Sequence, residues 1–219
     1  LSETESAGHL AERISAGIVA LGQRPGQHPI DRYISFLQLL SRWNQAYNLT
    51  AITDPEKLVT HHVLDSLSVL PYLHGNYCLD AGTGAGLPGI ILALADPDKH
   101  WVLLDSTRKK TRFVNQAVME LKLTNVRTEC ARLEQYRPER LFTTIITRAF
   151  GRLSGFYACS KHLLVPEGVL LAMKGGEFAA EIEELQGLKE APAVIRVHRL
   201  AVPGVEKDRC LVEMESSDC

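Results

Sequence analysis

The chain has no long apolar run. Its longest stretch of consecutive hydrophobic residues is six, at positions 90–95, far short of the roughly 20 that a helix needs to cross a bilayer, so no membrane-spanning helix is expected. The first seven residues carry two Glu and no Lys or Arg, and no secretory signal is expected either. Cysteine is scarce and scattered: Cys78, Cys130, Cys159, Cys210 and Cys219 are an odd number and include no C-x-x-C pair. That spacing offers neither a zinc site nor a disulfide framework, so the expectation is reduced thiols in a cytoplasmic protein that holds no metal. With 45% hydrophobic and 23% charged residues in 219, the composition is that of a folded globular protein, long enough for one domain with an extension or two small ones.

Excess charge of either sign is missing as well, the formal net charge being −2. Taken alone, this argues against a nucleic-acid partner. The average hides an asymmetry, because residues 106–152 hold eleven Lys and Arg against four Asp and Glu, a local balance of +7, and the remainder carries −9. A basic segment on a mildly acidic chain is a candidate phosphate-facing surface. A solvated helix face with scattered loop charges is the plainer alternative.

What is present begins with helical periodicity. Leu10, Ile14, Ile18 and Leu21 share one face, and beyond a breaker at 22–29 the residues Ile30, Tyr33, Ile34, Leu37, Leu40 and Trp43 recur at three- and four-residue spacing. A third helix is expected to open with Asp54 as N-cap and Pro55 in the first helical position, and to run through Leu58, Leu64, Leu67 and Leu70. Asn48-Leu49-Thr50 matches a glycosylation sequon and is read as coincidental.

From Asn76 the pattern changes. Strands are expected at 77–81, 100–105, 126–130, 141–147, 169–174, 194–202 and 209–215, with helices ending at Ala95 and at 108–121, 156–164 and 177–188. Such alternation calls for a mostly parallel α/β sheet covered on both faces. No helix fits between the last two strands, so they are expected to form an antiparallel pair at one sheet edge. The expected division is a helical extension over residues 1–74 and an α/β domain over residues 75–219.

The chemically richest stretch is Asp80-Ala81-Gly82-Thr83-Gly84-Ala85-Gly86-Leu87-Pro88-Gly89, between the first strand and the helix after it. Glycines there let the backbone turn tightly and approach a ligand at the carboxyl end of the strands. Two cofactor readings compete, with a packing role for the glycines and a turn-capping role for Asp80 as the plain alternative. Gly84, Gly86 and Gly89 fit G-x-G-x-x-G, and Asp105 lies nineteen residues beyond Gly86, near the spacing of a ribose-binding acid in a dinucleotide site. In such a site, however, the first glycine ends the strand, and here Gly82 holds that place with Asp80 just before it. Asp105 could also serve as N-cap of the next helix.

The string Asp-x-Gly-x-Gly-x-Gly resembles the first motif of class I S-adenosylmethionine-dependent methyltransferases. That resemblance implies a Rossmann-like, mostly parallel seven-stranded sheet with an antiparallel C-terminal edge, preceded here by the helical extension. It also implies S-adenosyl-L-methionine as cofactor, with a carboxylate at the loop's start near its ammonium group and Asp105 on its ribose. Acceptor chemistry narrows the choice. No Pro-Pro occurs, as a loop polarising an exocyclic base amine would use, and no Pro-Cys, as in many enzymes with a cysteine nucleophile for pyrimidine C5. After the fourth strand the chain reads Thr147-Arg148-Ala149-Phe150, a cation and a ring that could stack on a base or hold cofactor charges. A ring nitrogen such as guanine N7 offers its lone pair directly, so transfer to it needs alignment and desolvation but no general base.

Six strings in order carry a closer resemblance: Trp43 to Thr50, His62-Val63-Leu64-Asp65-Ser66, Asp80 to Gly89, Leu104-Asp105-Ser106, Arg148-Ala149-Phe150 and Met173-Lys174-Gly175. They are similar to those of bacterial ribosomal RNA small subunit methyltransferase G, the glucose-inhibited division protein B family. The resemblance implies a cytoplasmic enzyme that forms 7-methylguanosine at guanine 527 of 16S ribosomal RNA, acting on that RNA or on the small ribosomal subunit; a monomer is the default expectation for a compact chain that must reach a large RNA. The resemblance implies cofactor contacts from Asp80, Gly82, Gly84, Gly86, Leu87, Asp105, Leu133, Glu134 and Arg148, with Glu134 beside the adenine. Arg148 is the candidate catalytic residue, in a positioning role. Arg108, Lys109, Lys110, Arg112 and Lys174 are the candidate RNA contacts. His61 stands where the family usually has Arg, and Gly151-Arg152 where it more often has Ala-Ser. His62 and Asp65 read as structural partners joining the extension to the sheet. A methyltransferase for another RNA or a small molecule, an NAD-dependent dehydrogenase and a non-catalytic RNA-binding protein are the alternatives.

Overall fold

A computed structural model describes residues 3–176 and 178–215; Glu177, the expected start of the last helix, and Cys219 lie outside the described residues. Two amphipathic helices lead, α1 (Glu3–Ala20) and α2 (Ile30–Tyr47). α3 (Pro55–Leu58) is capped as its sequence requires, the Asp54 side chain accepting from the backbone N–H of Glu56 and Lys57. The single long helix expected from there is interrupted. A π-helical turn, Val59–Leu64, separates α3 from α4 (Asp65–Leu67). The hydroxyls of Thr60 and Ser66 donate back to carbonyls one turn earlier, which competes with the regular ladder.

The α/β part holds seven strands: β1 (Tyr77–Ala81), β2 (His100–Leu104), β3 (Val126–Glu129), β4 (Phe142–Arg148), β5 (Leu164–Gly175), β6 (Val194–Leu200) and β7 (Arg209–Glu215). Between them lie α5 (Gly89–Ala95), α6 (Arg108–Glu120), α7 (Leu153–Ser160) and α8 (Ala179–Gln186). The sheet order is β3-β2-β1-β4-β5-β7-β6. β1 to β5 run parallel, and β7 is antiparallel to both β5 and β6. The final pair is thus antiparallel as expected, but β7 is inserted beside β5 and only β6 forms the edge.

The central strands β1 and β2 are buried on both faces and read as short, mostly apolar runs, whereas the edge strands β3 and β6 keep exposed positions. In β2, Trp101 and Leu103 enter one core while Val102 and Leu104 enter the other. The first core also contains Ile14, Ile18, Phe36, Leu40, Leu64 and Leu67, so the N-terminal helices and one sheet face share a single packed interior. Phe113 of α6 meets Phe36 and Trp43 of α2 at ring-centroid distances of 6.3 and 5.6 Å. Cys78, Cys130, Cys159 and Cys210 are free thiols. Among the described residues no helix is long and apolar enough to cross a membrane.

Candidate active site

β1 ends at the glycine loop, where Gly82, Gly84 and Gly86 all take positive φ, at 72°, 59° and 79°. An L side chain in that region is strained, and only glycine occupies it freely. The loop is held against β2 by the N–H groups of Gly82 and Thr83, which both donate to the Leu104 carbonyl at 2.8 and 2.9 Å. Asp80 holds it from beneath. Its Oδ2 accepts from Thr83 Oγ1 at 2.6 Å and from the Gly89 N–H at 2.8 Å, and the carboxyl is fully buried. Burial pushes the Asp80 pKa up to about 6, against the opposing effect of those two hydrogen bonds.

Asp105, just past β2, joins the loop to the start of α6. Oδ2 accepts from the Gly84 N–H at 3.0 Å, Oδ1 from the Thr107 N–H at 2.8 Å, and Lys110 Nζ lies 3.6 Å from Oδ2. Each oxygen retains a lone pair for a further donor. Asp105 thus holds the turn that leads into α6, whose N-cap is Thr107 and not Asp105, and it also lines a cavity beside the end of β4.

Two cavities flank the end of β4. The first, about 310 Å³, is lined by Gly82, Leu104, Asp105, Ser106, Thr107, Lys110, Ala131, Arg132, Leu133, Glu134, Arg148, Ala149 and Phe150. The second, about 410 Å³, is lined by Ile52, His61, His62, Asp65, Arg148, Ala149, Met173, Lys174, Gly175 and Arg209. Arg148 and Ala149 are the wall between them. Thr147 fixes this wall to β1 by donating to the Ala81 carbonyl at 2.7 Å, and Ala149 turns the chain with φ of 63°.

Arg148 reaches back to the helical segment. Its Nη1 donates to the His61 carbonyl at 3.0 Å and lies 3.4 Å from Asp65 Oδ2, while Arg209 Nε sits 3.2 Å from Asp65 Oδ1. His62 is buried with Nε2 3.0 Å from Thr50 Oγ1. Burial, reinforced by the Arg148 charge, holds the His62 pKa down to about 4, so its ring is neutral near pH 7 and joins the chain around Thr50 to the π turn. His61 presents its carbonyl to Arg148, and its Nδ1 lies 2.8 Å from Thr60 Oγ1.

The structure brings Gly82, Asp105, Leu133, Glu134 and Arg148 to one cavity. Gly84 serves it indirectly through Asp105, and Gly86 is a packing glycine whose added Cβ would stand 2.4 Å from Ile90 Cδ1. Several expectations are placed differently. Asp80 and Leu87 are buried and border neither cavity; the first clamps the loop and the second belongs to the core beneath it. Lys110 turns inward to Asp105, whereas Arg108 and Arg112 are exposed and Lys109 donates to the Tyr47 carbonyl at 3.2 Å. Lys174 is not an outward cation: it pairs with Glu181 at 2.7 Å, donates to the Gly151 carbonyl at 2.7 Å and borders the second cavity. Arg152 pairs with Glu184. Sequence reasoning missed Arg209 altogether. Its partner Asp65 is 144 residues away, and no local pattern announces such a pairing.

The first cavity suits a nucleoside cofactor. Gly82 keeps its wall free of a Cβ, which would stand 3.6 Å from the Phe150 ring, Asp105 offers a two-oxygen acceptor, and Leu104 and Leu133 give it an apolar flank. Similarity to known proteins points the same way. Residues 30–212 match the family of rRNA small subunit methyltransferase G. The ribosomal RNA small subunit methyltransferase G of Nitrosococcus oceani is 46% identical over 201 residues, 92% of each chain. That of Coxiella burnetii is 44% identical over 208 residues, 95% of this chain and 99% of the relative. Among solved structures, an O-methyltransferase from Bacillus cereus in complex with SAH superposes with a TM-score of 0.60 at 16% identity, over 83% of this chain and 91% of that one. Magnesium protoporphyrin IX methyltransferase from Synechocystis with bound SAM gives 0.58 at 17% identity, over 84% and 97%. These two show that the sheet is that of the class I methyltransferases, and the match along most of its length places this chain in the rRNA small subunit methyltransferase G family.

Proposed function

We infer that this chain transfers a methyl group from S-adenosylmethionine to N7 of a guanine in small-subunit ribosomal RNA. The observation that carries the reading is the pair of cavities meeting at Arg148 and Ala149, one built by the sheet's carboxyl edge and the other largely by the helical segment and β5. When bound, S-adenosylmethionine supplies an electrophilic methyl group on a sulfonium.

The chain's part is to bind, align and desolvate. Asp105 would accept the ribose hydroxyls with the lone pairs that Gly84 and Thr107 leave free. Leu133 would flank the adenine, with Glu134 at its rim. Gly82 lets the backbone approach closely, and Arg148, which lines both cavities, would offer the donors that Asp65 and the His61 carbonyl leave free. A guanine in the second cavity would lie against Ile52, Met173 and the neutral ring of His62. N7 loses no proton, so no base is required of this wall. Asp65, the carboxylate paired with Arg148, is already held between two arginines. Arg108 and Arg112 would meet RNA phosphates from the exposed face of α6. The same reading takes the chain as a cytoplasmic monomer.

Incubation with methyl-labelled S-adenosylmethionine and unmodified small ribosomal subunits, followed by digestion and mass spectrometry of the labelled nucleoside, tests it. Label in 7-methylguanosine is the expected result. Cofactor binding with no label in the RNA would move the acceptor to another RNA or a small molecule. Binding of NAD in place of S-adenosylmethionine would restore the dinucleotide reading.

A further inference from the structure

Asp65 is a buried carboxylate, 3% exposed, that opens α4 directly after the π turn. Its two oxygens are divided between cations from distant parts of the chain: Oδ2 faces Arg148 Nη1 at the end of β4, and Oδ1 faces Arg209 Nε at the start of β7. Among the described residues, Arg148 bonds the protein through Nη1, to Asp65 and to the His61 carbonyl. Its Nη2 and Nε carry the remaining donors. A guanidinium is a planar fork, so fixing one arm fixes the direction of the others. The carboxylate thus fixes the rest of the Arg148 guanidinium, on a residue that lines both cavities. The wide turn contributes as well, since it is the segment that presents the His61 carbonyl to the same nitrogen.

We propose that Asp65 is a positioning residue for methyl transfer, acting through Arg148: it holds the guanidinium at the partition so that both bound molecules meet it in one fixed orientation. This inference rests on the methyltransferase reading above. A merely structural Asp65 would neutralise two half-buried cations and set stability, with no particular dependence of its effect on Arg148. A positioning Asp65 ties its effect on turnover to the presence of that arginine.

The test is a double-mutant cycle on the full chain with Asp65→Asn, Arg148→Gln and the double variant, reading kcat and KM on unmodified small subunits together with the cofactor Kd by calorimetry. Asp65→Asn keeps the shape and removes the charge. The expected result is a tenfold or larger fall in kcat for D65N, with KM for the subunit within threefold of wild type, and a double variant no slower than R148Q alone. Multiplicative losses in the double variant, or wild-type kcat in folded D65N, would overturn the proposal. If D65N is not recovered folded, Asp65→Glu, which keeps the charge and moves the carboxyl by one methylene, carries the same cycle and is read in the same way. Failure of the wild type to label any subunit RNA would overturn the acceptor reading and this inference with it, whereas normal wild-type labelling with additive variants would overturn this inference alone.

Discussion

Two glycines of one loop should fail in opposite ways when each is given a methyl group. At Gly82 an added Cβ meets nothing closer than Phe150 Cδ2 at 3.6 Å, an ordinary contact, but the position has φ of 72° and lies on the first cavity. The stability cost is then that of a left-handed non-glycine residue, roughly 1–2 kcal/mol. The binding cost is larger, because a methyl group on the wall pushes the ligand off the backbone. Crowding plus one weakened hydrogen bond comes to about 1.5–3 kcal/mol, a roughly ten- to hundredfold rise in Kd. Gly89→Ala is the converse. Its Cβ would lie 2.2 Å from Leu103 Cδ2 and 2.7 Å from Asp80 Oδ2, inside the packed interior and away from both cavities. Overpacking of that kind costs about 1–3 kcal/mol of stability, with the Kd of the folded protein expected within threefold of wild type. Urea unfolding and calorimetric titration with S-adenosylmethionine measure both quantities on the same samples. Unchanged affinity in G82A, or a G89A protein as stable as wild type, would refute the division of this loop into a binding half and a packing half.

Two further outcomes are expected. Burial raises the Asp80 carboxyl from its ordinary 3.8 to about 6, so the stability linked to it is complete below about pH 4 and lost as pH rises through about 6, on the order of 3 kcal/mol. Asp80→Asn cannot titrate, and the wild-type-minus-variant stability should therefore fall by that amount from pH 4 to 7 and stay level above; a level difference throughout would refute it. Reversing the charge of Arg108 and Arg112 should lower the log–log salt slope of small-subunit binding by roughly two while leaving cofactor Kd unchanged, since neither borders the first cavity. An unchanged slope in equilibrium binding would show that α6 does not face RNA.

Local rules made much of this molecule legible. β1 and β7 fall where alternation and apolar content put them, and Asp54 caps α3 because a short acceptor before Pro55 does so with only two residues' reach. Rules of the same kind shortened β5, expected over 169–174, although the strand runs from Leu164 to Gly175 through Pro166 and Gly168. A register shift between Phe142 and Thr144 in the neighbouring β4 absorbs the irregularity. In the site, the glycine loop and Asp105 were readable because each follows the end of a strand, and parallel strands bring those ends together, whereas the Leu133-Glu134 pair was expected only from the family resemblance. The directions of Asp80, Leu87 and Lys174 were not. Whether a side chain at such an end points into a cavity, under the loop or toward a neighbouring helix depends on partners such as Thr83 or Glu181 that only the packed chain supplies.

The common interior of the N-terminal helices and the sheet has a consequence for how an RNA must behave. One cavity is walled by the helical segment together with the ends of β4, β5 and β7 and the other by strand ends and the loops after them, and residues of both bodies, from Ile14 through Leu211, pack in one interior. If the two chambers hold cofactor and base as proposed, with their spacing set by that interior, approach of the reacting atoms would fall to the nucleotide. A base stacked or paired in its own RNA has to leave that arrangement to enter, and the energy of extruding it belongs to the RNA's local structure. Discrimination between assembly states of the ribosomal particle would then follow from how readily each one lets that base go.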